Sequence, residues 1–244
     1  MNTAIRETDR TLINGRTSLC LRQLDEGNGT PLLLLHDLFG SMEDWQSSPL
    51  KEAVGEGWDG PVWALDFAGH GDSAWRPGGA YYPELFATDA DAALGEIGSA
   101  CVAGIGLGAY VALLIAGARA EKVPASLLLP GAGMEGGGQE PALAPNPNSL
   151  EKLARASGGT ETASDTATDP RVILAENDIR PVDYACSFGT RSAGLVLAED
   201  GQHRPGWWES LRTLPTSREV PIESADGRDQ TDFAKAFTAL GALR

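Results

Sequence analysis

Basic residues are scarce in this chain of 244 residues: 19 lysines and arginines stand against 34 aspartates and glutamates, a formal net charge of −15. A surface that acidic repels phosphate backbones and anionic headgroups, which argues against nucleic acid or a membrane surface as a partner. Cysteine is scarcer still. Cys20, Cys101 and Cys186 are scattered, odd in number and without metal-ligand spacing, so neither a disulfide framework nor a bound metal is expected. Cys20 and Cys101 fall in apolar, strand-like runs and read as reduced, buried thiols. Long hydrophobic runs are missing too: no stretch approaches the ~18–20 apolar residues of a membrane span. The opening MNTAIRETDRTLING lacks the apolar core of a signal peptide. The expectation is a soluble, cytoplasmic protein without a cofactor. Histidine occurs only as His36, His70 and His203, so none lies beyond residue 203.

What is present reads as one α/β domain. Short apolar runs alternate with stretches of helical period, the pattern of a mainly parallel central sheet with helices on both faces. Leu19–Leu24, Leu32–Leu35, Val62–Leu65, Cys101–Ala103, Ala125–Leu129 and Ala193–Ala198 are expected strands. The four leucines in a row suit a strand buried on both faces. Val220–Ile222 makes a short last strand, with Pro221 arguing for an edge. Helices are expected over Tyr82–Ile97, with Pro83 at an accepted first position, and over Ala109–Ala120, Pro205–Leu214 and Gln230–Leu243. Asp169-Pro170 opens either a helix to Asn177 or, less well, a strand at Val172–Ala175. Residues 131–169 are rich in Gly, Ala, Pro, Thr and Asn. The expected division is a core of 1–130 and 193–244 with a cap or loop excursion over 131–192. Of the paired aromatics, Tyr81-Tyr82 and Trp207-Trp208 are expected mainly in the core, with one tryptophan ring facing out or towards a cleft. No internal repeat or partner-binding motif is visible, and nothing fixes the oligomeric state.

Three segments carry a resemblance to a known family. Leu32–Ser41, LLLLHDLFGS, resembles the strand and loop after which α/β-hydrolases place the His-Gly motif of the oxyanion hole. Leu65–Ser73, LDFAGHGDS, is similar to that family's D-x-x-G-x-G-x-S turn. Val102–Leu113, VAGIGLGAYVAL, resembles the nucleophile elbow G-x-S-x-G between strand and helix. All three occur in the family's order and spacing, and 194–233 resembles its last two strands more loosely. The resemblance implies the α/β-hydrolase fold, with the backbone amides of Leu38 and Leu107 forming the oxyanion hole.

The departures are as informative. Gly106 stands where the resemblance places the nucleophilic serine, and glycine tolerates that strained turn while supplying no Oγ. The acid position falls at Asp200 or Gly201, or at Asp178 if 172–175 is the relevant strand. The base position falls at Gly227 or Arg228, and arginine cannot take a proton from a nucleophile. The Ser…Asp…His order is therefore incomplete. Tentative acid/base groups are His36, which in the family is mostly structural, His203 after the acid-bearing strand, and Asp37, where the family has glycine. His70 and Ser73 read as turn-stabilising. Leu38, Leu107, Gly106 and Asp37 are the expected ligand-binding positions. Three functions stay open: binding of a small, mostly apolar molecule without ester hydrolysis; a lyase, cyclase or isomerase reusing the pocket by acid/base chemistry; or a hydrolase with a displaced or replaced nucleophile.

Overall fold

A computed structural model of the protein describes residues 9–136, 168–222 and 232–244. Half of the expected cap at 131–192, residues 137–167, lies outside them, as do the base-position candidates Gly227 and Arg228.

The described residues form an eight-stranded sheet. Its strands are β1 (Asp9–Asn14), β2 (Thr17–Asp25), β3 (Leu32–Leu35), β4 (Val62–Leu65), β5 (Cys101–Ile105), β6 (Ser126–Leu129), β7 (Leu195–Glu199) and β8 (Ser217–Pro221). Their spatial order is β1-β2-β4-β3-β5-β6-β7-β8. The β1–β2 and β2–β4 pairs are antiparallel; every pair from β4 to β8 is parallel. The last strand is an edge, as its proline required.

The leucine run of β3 lies near the middle of the sheet, and its two-residue period divides it between the faces. Leu33 and Leu35 join one hydrophobic cluster, Leu32 and Leu34 the other. Val102 against Cys101 and Ala103, and Leu195 and Leu197 against Val196 and Ala198, alternate the same way. Each fully buried leucine contributes roughly 1.5–3 kcal/mol. Cys20 and Cys101 are free thiols, and burial raises Cys101 to about 11.

Helices cover both faces: α1 (Leu50–Gly57), α2 (Pro83–Ile97), α3 (Leu107–Ala118), α4 (Val182–Arg191), α5 (Gly206–Leu211) and α6 (Phe233–Gly241). Every residue of α3 from Leu107 to Ala116 is buried, which explains its nearly uniform apolar sequence. Proline opens α2 as expected. Asp169 caps a 3₁₀ helix at Pro170–Ala175, its side chain accepting from the Arg171 amide at 3.0 Å. That helix is tighter and ends sooner than the sequence reading had it. The β1 strand, α1 and α4 had no counterpart in that reading.

Candidate functional site

The site is built where the loop after β3, the turn between β5 and α3, and the segment after β6 converge. At the β5–α3 turn Gly106 has φ 60° and ψ −115°, a left-handed conformation that suits glycine. Its amide donates to the Leu129 carbonyl at 3.1 Å, tying the turn to β6.

The Asp37 carboxylate fills the space beside this turn. Its Oδ1 accepts from three backbone amides: Leu38 at 2.7 Å, Leu107 at 2.7 Å and Gly133 at 3.0 Å. The Gly133 amide also reaches Oδ2 at 3.2 Å. The Leu38 and Leu107 amides, which the resemblance assigns to an oxyanion hole, thus converge on one oxygen, and that oxygen belongs to the protein. A Cβ built on Gly106 would overlap Cγ, Oδ1 and Oδ2 of Asp37, and one on Gly133 would overlap Oδ1. One on Gly131 would lie 2.8 Å from Oδ2. Three glycines therefore make the cradle that admits the carboxylate.

His36 holds the loop from below and is fully buried. Its Nε2 accepts from the Phe67 amide at 3.1 Å, which leaves Nδ1 to donate to the Asp37 carbonyl at 2.7 Å. Both ring nitrogens are engaged, and desolvation by burial holds the ring below its ordinary pKa. His36 is thus a neutral brace between the loop and the 66–73 turn. Within that turn the Asp66 carboxylate accepts from the amides of Met42 at 2.7 Å and Asp72 at 2.8 Å. Burial raises Asp66 to about 7. Ser73 donates to the Asp66 carbonyl at 2.6 Å. His70 is buried, its Nδ1 3.2 Å from the Ala68 carbonyl, in keeping with a turn-stabilising role.

The remaining described groups stand in other surroundings. His203 is exposed. Asp200 pairs with Arg204 and accepts from the Gln202 amide at 3.0 Å, and Gly201 adopts φ 75° in that turn. Asp178 is half-buried ahead of α4. Both Trp207 and Trp208 are buried, so neither ring faces out; their indole N–H groups donate to the Met134 carbonyl at 2.9 Å and the Glu199 carboxylate at 2.8 Å.

Sequence reasoning missed three contributors. The third amide, Gly133, belongs to the Pro130-Gly131-Ala132-Gly133 run after β6, whose small residues were the available signal. Tyr110 and Arg180 gave none. Arg180 is 6% exposed and its guanidinium carbon lies 5.1 Å from the Tyr110 ring centroid. Burial lowers Arg180 to about 10, partly offset by Tyr110, Asp37, Asp178 and Glu135, so it stays charged at neutral pH. Among the described residues no group of three His, Cys, Asp or Glu side chains is placed to hold a metal, and no helix is long and apolar enough to cross a membrane.

The family model for the alpha/beta hydrolase family matches residues 32–240. The chain belongs to that family. No curated protein matches it. Among solved structures it resembles a hypothetical protein of Pseudomonas aeruginosa PAO1 at 20% identity and TM-score 0.65, over 96% of this chain and 98% of that one. An esterase from Rhodococcus sp. ECU1013 matches at 20% identity and TM-score 0.67, over 97% and 100%. A bottromycin epimerase solved with bottromycin A2 matches at 19% identity and TM-score 0.65, over 97% and 99%. At these identities the likeness extends to the α/β-hydrolase fold.

Proposed function

We propose that this α/β-hydrolase family member has a degenerate triad and binds a small, mostly apolar molecule without hydrolysing esters by the serine route. The observation that carries this reading is the Asp37 carboxylate on the amides of Leu38, Leu107 and Gly133. Acyl transfer needs donors aimed at the place where a substrate oxygen gains negative charge. Here a carboxylate oxygen already holds those donors, and a second anion beside it would meet like charge. Gly106 supplies no nucleophile, and no histidine follows His203. Each departure alone impairs hydrolysis; together they remove the nucleophile, the base and the vacancy for the oxyanion.

The same contacts weigh against acid/base chemistry in the pocket. Asp37 is committed to three amides, His36 uses both nitrogens within the fold, and His203 is exposed. A binding role needs none of them free.

Incubation with a fluorophosphonate probe, read by intact-mass spectrometry beside a chromogenic ester assay, tests the reading. Unchanged mass and no turnover above buffer are expected. Stoichiometric labelling with turnover would establish a displaced nucleophile and sink the proposal.

A further inference from the structure

Arg180 lies between the segment after β6 and the first turns of α3. A Cβ on Gly136 would come within 3.0 Å of the Cγ and Cδ of Arg180, so the segment packs on the arginine's aliphatic stem. Nε, Nη1 and Nη2 are all buried without a hydrogen-bond partner among the described residues, and so is the hydroxyl of Tyr110 beside them. Arginine carries five N–H donors and no acceptor, and it cannot shed its charge to escape burial. Buried charges are ordinarily paired. Asp37, Asp178 and Glu135 act on this one through space, but none accepts from it.

The arrangement is closely packed. The guanidinium lies against the Tyr110 ring, and Tyr110 meets Trp207 edge to face with ring centroids 4.9 Å apart. The Trp207 indole is in turn fixed to the Met134 carbonyl at 2.9 Å. Two adjacent sets of donors are thus held in place by packing, with no acceptor among the described residues. A carboxylate matches them: it accepts two parallel bonds from a guanidinium and has lone pairs left for a phenol O–H.

We propose that Arg180 and Tyr110 hold the carboxylate of a small organic acid, whose apolar body is the molecule inferred above. The site rests on the binding reading and gives it a ligand class. With a net charge of −15 the protein's overall field opposes an anion. Affinity therefore comes from these local, desolvated contacts, and a neutral analogue of the same shape loses most of it.

The test titrates the full chain with octanoate and benzoate, with octanamide and benzamide as neutral twins and inorganic phosphate as a rival anion. Binding is read by calorimetry and by tryptophan fluorescence. The wild-type protein is expected to bind at least one carboxylate saturably and at least about 30-fold more tightly than its amide twin. Arg180→Gln should cost about 100-fold and Tyr110→Phe about tenfold, the scale of charge-assisted and single hydrogen bonds at tenfold per 1.4 kcal/mol. The acid–amide comparison on wild-type protein keeps the test decisive if Arg180→Gln does not fold. Equal affinity for acid and amide, undiminished binding by Arg180→Gln, a response to phosphate alone, or no binding of any probe would each overturn the proposal. Fluorophosphonate labelling with turnover would instead remove the non-hydrolytic reading, so the two failures are distinguishable.

Discussion

Asp37 and Arg180 are charged side chains that share two neighbours, the start of α3 and the segment after β6, yet they are treated in opposite ways. Asp37 is half-buried and receives three amides, from Leu38, Leu107 and Gly133. Arg180 is 6% exposed and has no hydrogen-bond partner among the described residues. The first region is complete: the fold's own carboxylate takes the donors, and glycines make the room. The second is incomplete: its donors are held by packing and find no acceptor among the described residues. A satisfied polar group stabilises a fold, whereas a buried, unsatisfied one costs stability and calls for an explanation. On the proposed reading, Asp37 marks the lost catalytic centre and Arg180 the place of ligand recognition.

Restoring the side chain at the elbow should have the largest effect. Gly106→Ser puts a Cβ into the Asp37 carboxylate and a non-glycine residue at φ 60°. Backbone strain plus the loss of charge-assisted hydrogen bonds should destabilise the protein by about 2–4 kcal/mol in urea unfolding. The double variant Asp37→Gly/Gly106→Ser should regain at least about 1 kcal/mol of that, a non-additivity characteristic of residues in contact. Strict additivity would break the claim that Asp37 and Gly106 form one unit.

Next comes Arg180→Met, which removes the unpaired charge and keeps an unbranched apolar stem. The ligand-free variant should gain about 1–3 kcal/mol in the same assay, since exchanging buried charge for apolar packing is often stabilising. A loss of stability of similar size would mean that Arg180 is structurally paired, and the contrast with Asp37 would fail. Asp37→Asn should have the opposite sign and be smaller. It leaves an acceptor at the three amides but removes the charge, for a loss of about 1 kcal/mol. Smallest of all is Tyr110→Phe. Its hydroxyl has no hydrogen-bond partner among the described residues, so thermal unfolding without ligand should change by less than about 0.5 kcal/mol. A larger loss would show that the hydroxyl is already engaged within the fold.

Much of this architecture was legible in local sequence. The leucines of β3, the Pro83 start of α2 and the three family motifs each rest on interactions within a few residues, which pattern and spacing report directly. Asp37 was legible as an anomaly, a carboxylate where the family carries glycine, but its three donors were not. Two of them, Leu107 and Gly133, come from 70 and 96 residues away. The β1 strand was missed because it is an exposed hairpin arm at the sheet margin, with little apolar alternation to display. Helix α4 was hidden because the polar composition around it reads as excursion, although Ala185, Tyr184 and Phe188 pack on the core.

The sequence by itself determined the layered α/β fold, the glycine at the elbow and the want of a late histidine, because these depend on residue identity and local period. Only the tertiary structure decided that the Asp37 carboxylate occupies the amides that the family resemblance assigns to an oxyanion hole, and that Arg180 meets Tyr110 without an acceptor among the described residues. Both are facts about which distant groups share a few ångströms of space. Hydrogen bonding and desolvation act over that distance alone, whatever the separation along the chain.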